Sequence, residues 1–278
     1  MGLRISSNIP AMSARRTLSA TSDSQSKTFQ RLASGNRIIS AGDDAAGLSI
    51  SENLRGQVRS MSQAERNAND GISLVQVAEG GLSEIGNIMV RLRELSIQAA
   101  TDTVGDKERG FINQEFQSLL AEVDRIANVT TFNGIPLLNG EAEQSKLQFQ
   151  VGIRNHEADR IEFESTENDV RTSALGISGI SAVSIDDARS SIDALDGALG
   201  SVSASRARLG AMQNKLHATT NNLAITKENL AQARSRIADA DIAEETSQLV
   251  ATNILQSAGV AVLAQANNSP TQALKLVA

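Results

Sequence analysis

Leu195, Val202, Leu209, Leu216, Leu223, Leu230 and Ile237 fall seven residues apart without a miss. A repeat of seven held this long lays its side chains in one stripe along an α-helix, the geometry of a helix packed lengthwise against others. Ile192 and Leu199 open a second stripe that later turns polar or moves to Met212. A partner of equal length is available upstream. Ile50, Leu54, Val58, Met61, Ala68, Ile72, Val75, Leu82, Ile85, Met89, Leu92, Leu95 and Ala99 recur mostly at intervals of three and four, the spacing of a buried helix face. Fifty residues of helix span about 75 Å, so the expected fold class is mainly α, an elongated coiled-coil helical bundle. Gly80 and Gly81 lie inside the upstream stripe and predict either an interruption or close packing by a neighbour, the second being the reading adopted.

Composition supports the bundle. Pro10, Pro136 and Pro270 are the only prolines, which leaves 11–135 and 137–269 free for helix. With no Tyr or Trp and 2% aromatic residues, the core has to be built from Leu, Ile, Val and Ala, as in thin bundles. Residues 101–110 read as a loop, followed by a shorter helix carrying Phe111, Phe116, Leu119, Leu120, Val123 and Ile126. The period then shortens. Thr130–Leu138 and Leu147–Phe163 alternate in the manner of strands, with Asn133-Gly134 and Asn139-Gly140 as turn dipeptides, predicting a small antiparallel element of one to two hairpins. Residues 164–184, rich in Ser, Thr and Gly, read as an exposed crossing.

The two ends behave differently. Residues 1–34 are too sparse in apolar groups to hold a helix alone and require a partner. Residues 31–50, RLASGNRIISAGDDAAGLSI, are the one punctuated stretch: Ser34-Gly35 stops a helix, and Asp43 and Asp44 stand where the next is capped. The Ala-rich segment from Ile242 to Val277 carries Leu249, Ile254, Leu255, Val262 and Leu263 on more than one face, which predicts burial against other chains. The net charge is −6, yet residues 1–40 hold Arg4, Arg15, Arg16, Lys27, Arg31 and Arg37 against Asp23. Asp239, Asp241, Glu244 and Glu245 form an acidic cluster near the other end, so the arms could pair by charge.

Chemistry is sparse. There is no Cys, and His156 and His217 are the only histidines; neither lies in a metal-ligand pattern. No glycine-rich phosphate loop follows a strand. Asp43 and Asp44 suit caps better than a catalytic dyad, and Asn128-Val129-Thr130 matches a glycosylation sequon of low specificity. No catalytic, cofactor-binding or metal-binding residue is expected, no enzyme activity, and neither nucleic acid nor membrane as partner: the N-terminus lacks an apolar signal core and no run of about 18 apolar residues occurs.

Several longer strings occur in order: MGLRISSNIPAM, LASGNRIISAGDDAAGLSI, RLRELSIQAA from Arg91, TTFNGIPLL from Thr130, and ARSRIADADIAEETSQLV from Ala233. Together they resemble bacterial flagellin, in a short form with only the filament-core domains. The resemblance implies an arm of residues 1–44 pairing with 237–278 around a central channel, and a rod domain, 45–236, that includes the hairpin region 130–163. It implies a secreted structural subunit that self-assembles into the extracellular flagellar filament for swimming motility, exported unfolded by the flagellar type III route. Implied partners are other copies of the chain, an export chaperone at the C-terminal arm, and the filament cap and hook–filament junction proteins. A host innate immune receptor for flagellin is a further one. For that receptor the family's motif falls on Arg91, Leu95 and Gln98, with Glu115 on the neighbouring helix and Val90 where the pattern has Gln; spacings of four and three put the first three on one face. The alternative is a hook–filament junction protein, which shares the paired terminal helices but usually not TTFNGIPLL and RLRELSIQAA.

Overall fold

The computed structural model describes the backbone of residues 7–140 and 146–277, and the side chains of these up to Ser269. The expectations on Arg4, on the first residues of MGLRISSNIPAM and on the last apolar side chains of the chain lie outside them. Five α-helices are described: α1 (Ile9–Ser34), α2 (Ala45–Ala99), α3 (Asp106–Val129), α4 (Ile185–Ala238) and α5 (Ile242–Val277). Two antiparallel hairpins lie between α3 and α4, β1 (Thr131–Phe132) with β2 (Ile135–Pro136) and β3 (Lys146–Gln150) with β4 (Arg160–Glu164). The chain forms two compact units, residues 1–58 with 228–278, and residues 59–227.

Short polar side chains set the helix ends. Asn8 accepts from the Ala11 N–H at 3.1 Å to start α1, and Gly35, at φ +70°, takes the left-handed turn that ends it. Asp44 caps α2 by accepting from the Gly47 N–H at 2.8 Å. A Cβ at position 47 would fall 2.3 Å from the Asp44 carboxylate and 2.7 Å from Ile38, so only glycine fits beneath that cap. Asp241 does the same for α5, accepting from the Ala243 N–H at 2.8 Å.

In the unit of residues 59–227, α2, α3 and α4 enclose one apolar core. Leu82, Met89 and Leu92 of α2, Phe116 and Val123 of α3, and Leu195 and Leu216 of α4 are essentially solvent-free. The heptad stripe is buried from Leu195 through Val202, Leu209 and Leu216 to Leu223. Leu230 and Ile237, in the other unit, are only half-buried, so the expectation of a uniform core stripe is corrected there. The second stripe packs partly buried against the core at Leu199 and Met212, and beside it Ser191, Ala198 and Ser205 form a fully covered row of small side chains.

α2 runs through Gly80 and Gly81 unbroken. At Gly81 a Cβ would lie 2.8 Å from Leu138 and Thr130, so the glycine admits the chain around the first hairpin, the close packing expected of the pair; nothing approaches Gly80. Asn133 and Gly134, with φ of 51° and 79°, make the β1–β2 turn. Two expectations fail nearby. α3 begins at Asp106 rather than Phe111, because Arg109 turns inward and donates to the carbonyls of Ala99 and Thr101 at 3.3 and 3.2 Å, closing the end of α2. The stretch 164–184 is no exposed crossing: Ser165, Val170, Ile177 and Ala182 are buried. Three polar side chains of α3 hold it down. Asp124 accepts from the Thr172 N–H and hydroxyl, both at 2.8 Å, Gln117 donates to the Ile180 carbonyl at 2.9 Å, and Asn113 accepts from the Ala182 N–H at 3.0 Å.

Candidate assembly surface

α1 and α5 pair antiparallel. Asn8 donates to the Ala266 carbonyl at 2.8 Å, Gln25 donates to Asn253 midway, and Arg31 meets Glu245 at 3.2 Å at the far end. On α5 the covered residues are Glu245, Leu249, Thr252, Gln256, Gly259, Leu263 and Ala266, alternately four and three apart. Ala11, Ala14, Leu18, Thr21, Gln25, Thr28 and Leu32 form the matching row on α1. This is coiled-coil spacing with polar and small side chains where apolar ones usually sit. Gly259 lets Leu18 approach to 3.3 Å of where its Cβ would be.

Leu18, Leu32, Leu249 and Leu263 share that seam, but most of the other large apolar side chains of the pair point away from it. Val250, Ile254, Leu255, Val260 and Val262 are each more than half exposed, as are Ile9, Met12 and Phe29 on α1. From Thr246 to Leu274 the sequence holds no charged residue. The five expected assembly residues therefore divide: Ile254, Leu255 and Val262 face outward, whereas Leu249 and Leu263 are half-buried in the seam with α1. Among the described residues one helix, over Ile242–Ser269, contains a stretch long and apolar enough to cross a membrane, by length and composition. A search for unbroken apolar runs misses it because Asn, Gln and Ser are interleaved.

The base of this pair is closed by two backbone bonds and one from a side chain. Arg37 N–H donates to the Ala238 carbonyl at 2.7 Å, Ala240 N–H to the Gly35 carbonyl at 2.9 Å, and the Arg37 guanidinium to the Ile237 carbonyl at 2.7 Å. The break between α1 and α2 thus docks on the break between α4 and α5. Asp43 accepts from the Ser40 N–H and hydroxyl, both at 3.1 Å, and these bonds hold its carboxyl below the usual aspartate range. Of the expected charge pairing between the ends, one direct ion pair is described, Arg31 with Glu245. The second Glu245 oxygen is buried without a partner.

In the other unit, Arg91 donates through Nε and Nη2 to Glu115 at 3.0 and 2.8 Å and through Nη1 to Glu94 at 3.1 Å. The Glu115 hydrogen bonds, then those of Glu94, raise the Arg91 pKa. Arg91, Gln98 and Glu115 are exposed, but Leu95 is 1% exposed. The expectation that Leu95 shares their open face is corrected. Four residues advance a helix by about 40° beyond a full turn, enough to carry Leu95 over the rim into the core. Glu94, which spacing did not single out, completes the charged cluster. His156 and His217 are exposed, and no group of His, Asp or Glu among the described residues is placed to hold a metal.

Residues 5–143 match the model of the bacterial flagellin N-terminal helical region and residues 192–277 that of the bacterial flagellin C-terminal helical region. A flagellin of Halalkalibacterium halodurans is 42% identical over 98% of this chain and 99% of its own. The chain belongs to the bacterial flagellin family. Among solved structures, Bacillus cereus flagellin is 28% identical, covering 57% of this chain and 88% of that one at a TM-score of 0.51. A putative flagellar hook-associated protein from Vibrio parahaemolyticus covers 71% of this chain and all of its own at a TM-score of 0.58, but at 15% identity it shares the fold alone. Within the flagellin family, the short middle of this chain is matched in length by the Halalkalibacterium halodurans relative. The strings that carried the resemblance fall at structural joints: LASGNRIISAGDDAAGLSI forms the α1–α2 break, and TTFNGIPLL forms the first hairpin and its packing on α2.

Proposed function

We propose that the chain is a structural subunit that self-assembles into the bacterial flagellar filament, outside the cell, for swimming motility. The observation that carries this is the reversed polarity of the arm pair. A helix whose seam mixes Leu249 and Leu263 with Thr, Gln and Gly while Ile254, Leu255, Val260 and Val262 stay exposed leaves much apolar surface to be gained by association, at roughly 25 cal/mol per Å² covered. In this reading residues 1–44 and 237–278 form the inner layer around the channel and 45–236 the layer outside it. Before export the outward face of α5 is held by a chaperone; in the finished filament, cap and junction proteins engage the ends. A hook–filament junction role has only the fold likeness in its favour. Purified chain incubated at high concentration should give long filaments in negative stain; persistent monomers would refute the reading.

The exposed Arg91, Gln98 and Glu115 are the contact for the host innate immune receptor for flagellin, with Leu95 acting from beneath as the support of Arg91. Depolymerised protein should signal better than filament in reporter cells. Arg91→Ala and Glu115→Ala should each lower potency about tenfold or more, and Leu95→Ala should act through lost helix stability. Full activity in both charge variants would remove this site.

A further inference from the structure

With no cysteine in the chain, its sulfur chemistry rests on five methionines, of which Met12, Met61, Met89 and Met212 are described. Met61 and Met89 are 8% and 0% exposed, and Met212 packs partly buried against the core. Met12 differs: it is 64% exposed on the outer side of α1, three residues from Ile9, which is 59% exposed. The Asn8 bond to Ala266 and the packing of Leu18 on Gly259 set Met12 level with the 260–265 segment of α5, where Val260 and Val262 also face outward. A thioether's reactivity with oxidants follows its exposure, and oxidation turns a flexible apolar side chain into a polar one.

We propose that Met12 is a reversible oxidation site through which a peroxide controls assembly of the unpolymerised subunit, an inference that rests on the reading that the outward arm faces are buried between copies. A sulfur lone pair of Met12 attacks one oxygen of hydrogen peroxide. The O–O bond breaks, an S–O bond forms, and the departing oxygen takes, through solvent, the proton of the oxygen now on sulfur and leaves as water, so the sulfur loses two electrons and the peroxide gains them. A thiol-dependent sulfoxide reductase reverses the step, its two thiols closing to a disulfide as the oxygen departs as water. The sulfoxide then sits within the apolar outer face of the arms. Once copies cover that face, peroxide no longer reaches it, so the control acts before assembly and not after.

The test uses the full chain as monomer, treated with hydrogen peroxide and followed by peptide mass spectrometry and by polymerisation. Met12 should convert first while Met61 and Met89 stay reduced. The critical concentration for filaments should rise about tenfold, the factor expected when one such side chain loses its apolar burial. Reductase treatment should restore it, and M12L, which keeps the volume but cannot be oxidised, should polymerise equally with and without peroxide. Conversion of Met61 or Met89 as fast as Met12, or loss of polymerisation by peroxide-treated M12L, would overturn the proposal. If untreated wild type forms no filaments, the filament reading falls instead, and the order of conversion still decides whether Met12 is the selective site.

Discussion

The α2–α3–α4 core and the α1–α5 pair use the same alternation of three and four residues and reach opposite results. In the core, Leu195, Leu209 and Leu216 fill the seam and charged groups such as Arg93, paired with Asp196 at 2.6 Å, stay outside. In the arm pair, Thr28, Thr252 and Gly259 share the seam with Leu18, Leu249 and Leu263, and Ile254, Leu255 and Val262 stay outside. Periodicity therefore fixes which residues share a face, whereas the chemistry of the covered face decides whether the element is finished as a monomer. The core is complete within one chain. The arm pair is complete only when something covers its outer side.

Charge placed on each face separates the two cases. Leu209→Asp, and to a lesser degree Leu223→Asp, should cost several kcal/mol, of the order of a domain's whole stability, because an unpaired carboxylate enters an apolar interior. Leu255→Asp should leave the melting of the monomer, followed by circular dichroism, within about 0.5 kcal/mol of wild type and yet abolish filaments. If Leu209→Asp melted normally, the heptad stripe would have to face water. Removing residues 249–278 is a coarser version of the second variant: a soluble chain with its core intact and no polymerisation. Filaments from the truncated chain would place the assembly surface elsewhere.

A gentler change strengthens the weak member of the comparison. Gly259→Ala should stabilise α5 by about 1 kcal/mol through helix propensity, since the new methyl meets only the end of the Leu18 side chain, at 3.3 Å. Amide exchange should slow in α1 and α5 and remain unchanged in α3. Faster exchange in α1 would mean that Leu18 cannot give way.

Much of this was legible in the sequence. The heptad through Leu223, the stop at Ser34-Gly35 and the turn at Asn133-Gly134 follow from local rules in which a residue type and its backbone conformation are tied together. Ser191, Ala198 and Ser205 escape a scan for large apolar residues because they are small, although each is covered. The strap through Thr172 and Ala182 escaped for a related reason: its burial depends on Asn113, Gln117 and Asp124 of α3, partners some 50 to 70 residues away, and no local pattern in a Ser- and Gly-rich stretch reports them. Leu95 was misplaced because spacings of four and three define a face only to within the width of the rim. On the arms the sequence showed apolar residues on several faces of α5, but which of them α1 covers became visible only with the pairing of Arg31 to Glu245 and Asn8 to Ala266.

The smallest expected effect distinguishes the two units by the origin of a carboxylate's acidity. Asp196 is held below an aspartate's ordinary 3.8 chiefly by its hydrogen bonds to the Arg93 guanidinium, with that residue's charge adding to them. Asp43 is held below the same value chiefly by the neutral N–H and hydroxyl of Ser40, the charge of Lys27, 3.8 Å away, coming last. Both pKa values are depressed in the folded chain, so both groups contribute stability that is fully present above the ordinary value and is lost as the pH falls through the lowered one. Salt separates them, because ions screen an exposed charge pair and leave a short neutral hydrogen bond largely unaffected. Carboxyl-carbon NMR titrations in low and in 1 M salt, an ionic strength at which screening sets in within about 3 Å, should therefore show Asp196 moving back toward 3.8 while Asp43 holds its place. Equal movement of the two would mean that Lys27, rather than Ser40, sets the acidity of Asp43 and fastens the α1–α2 break.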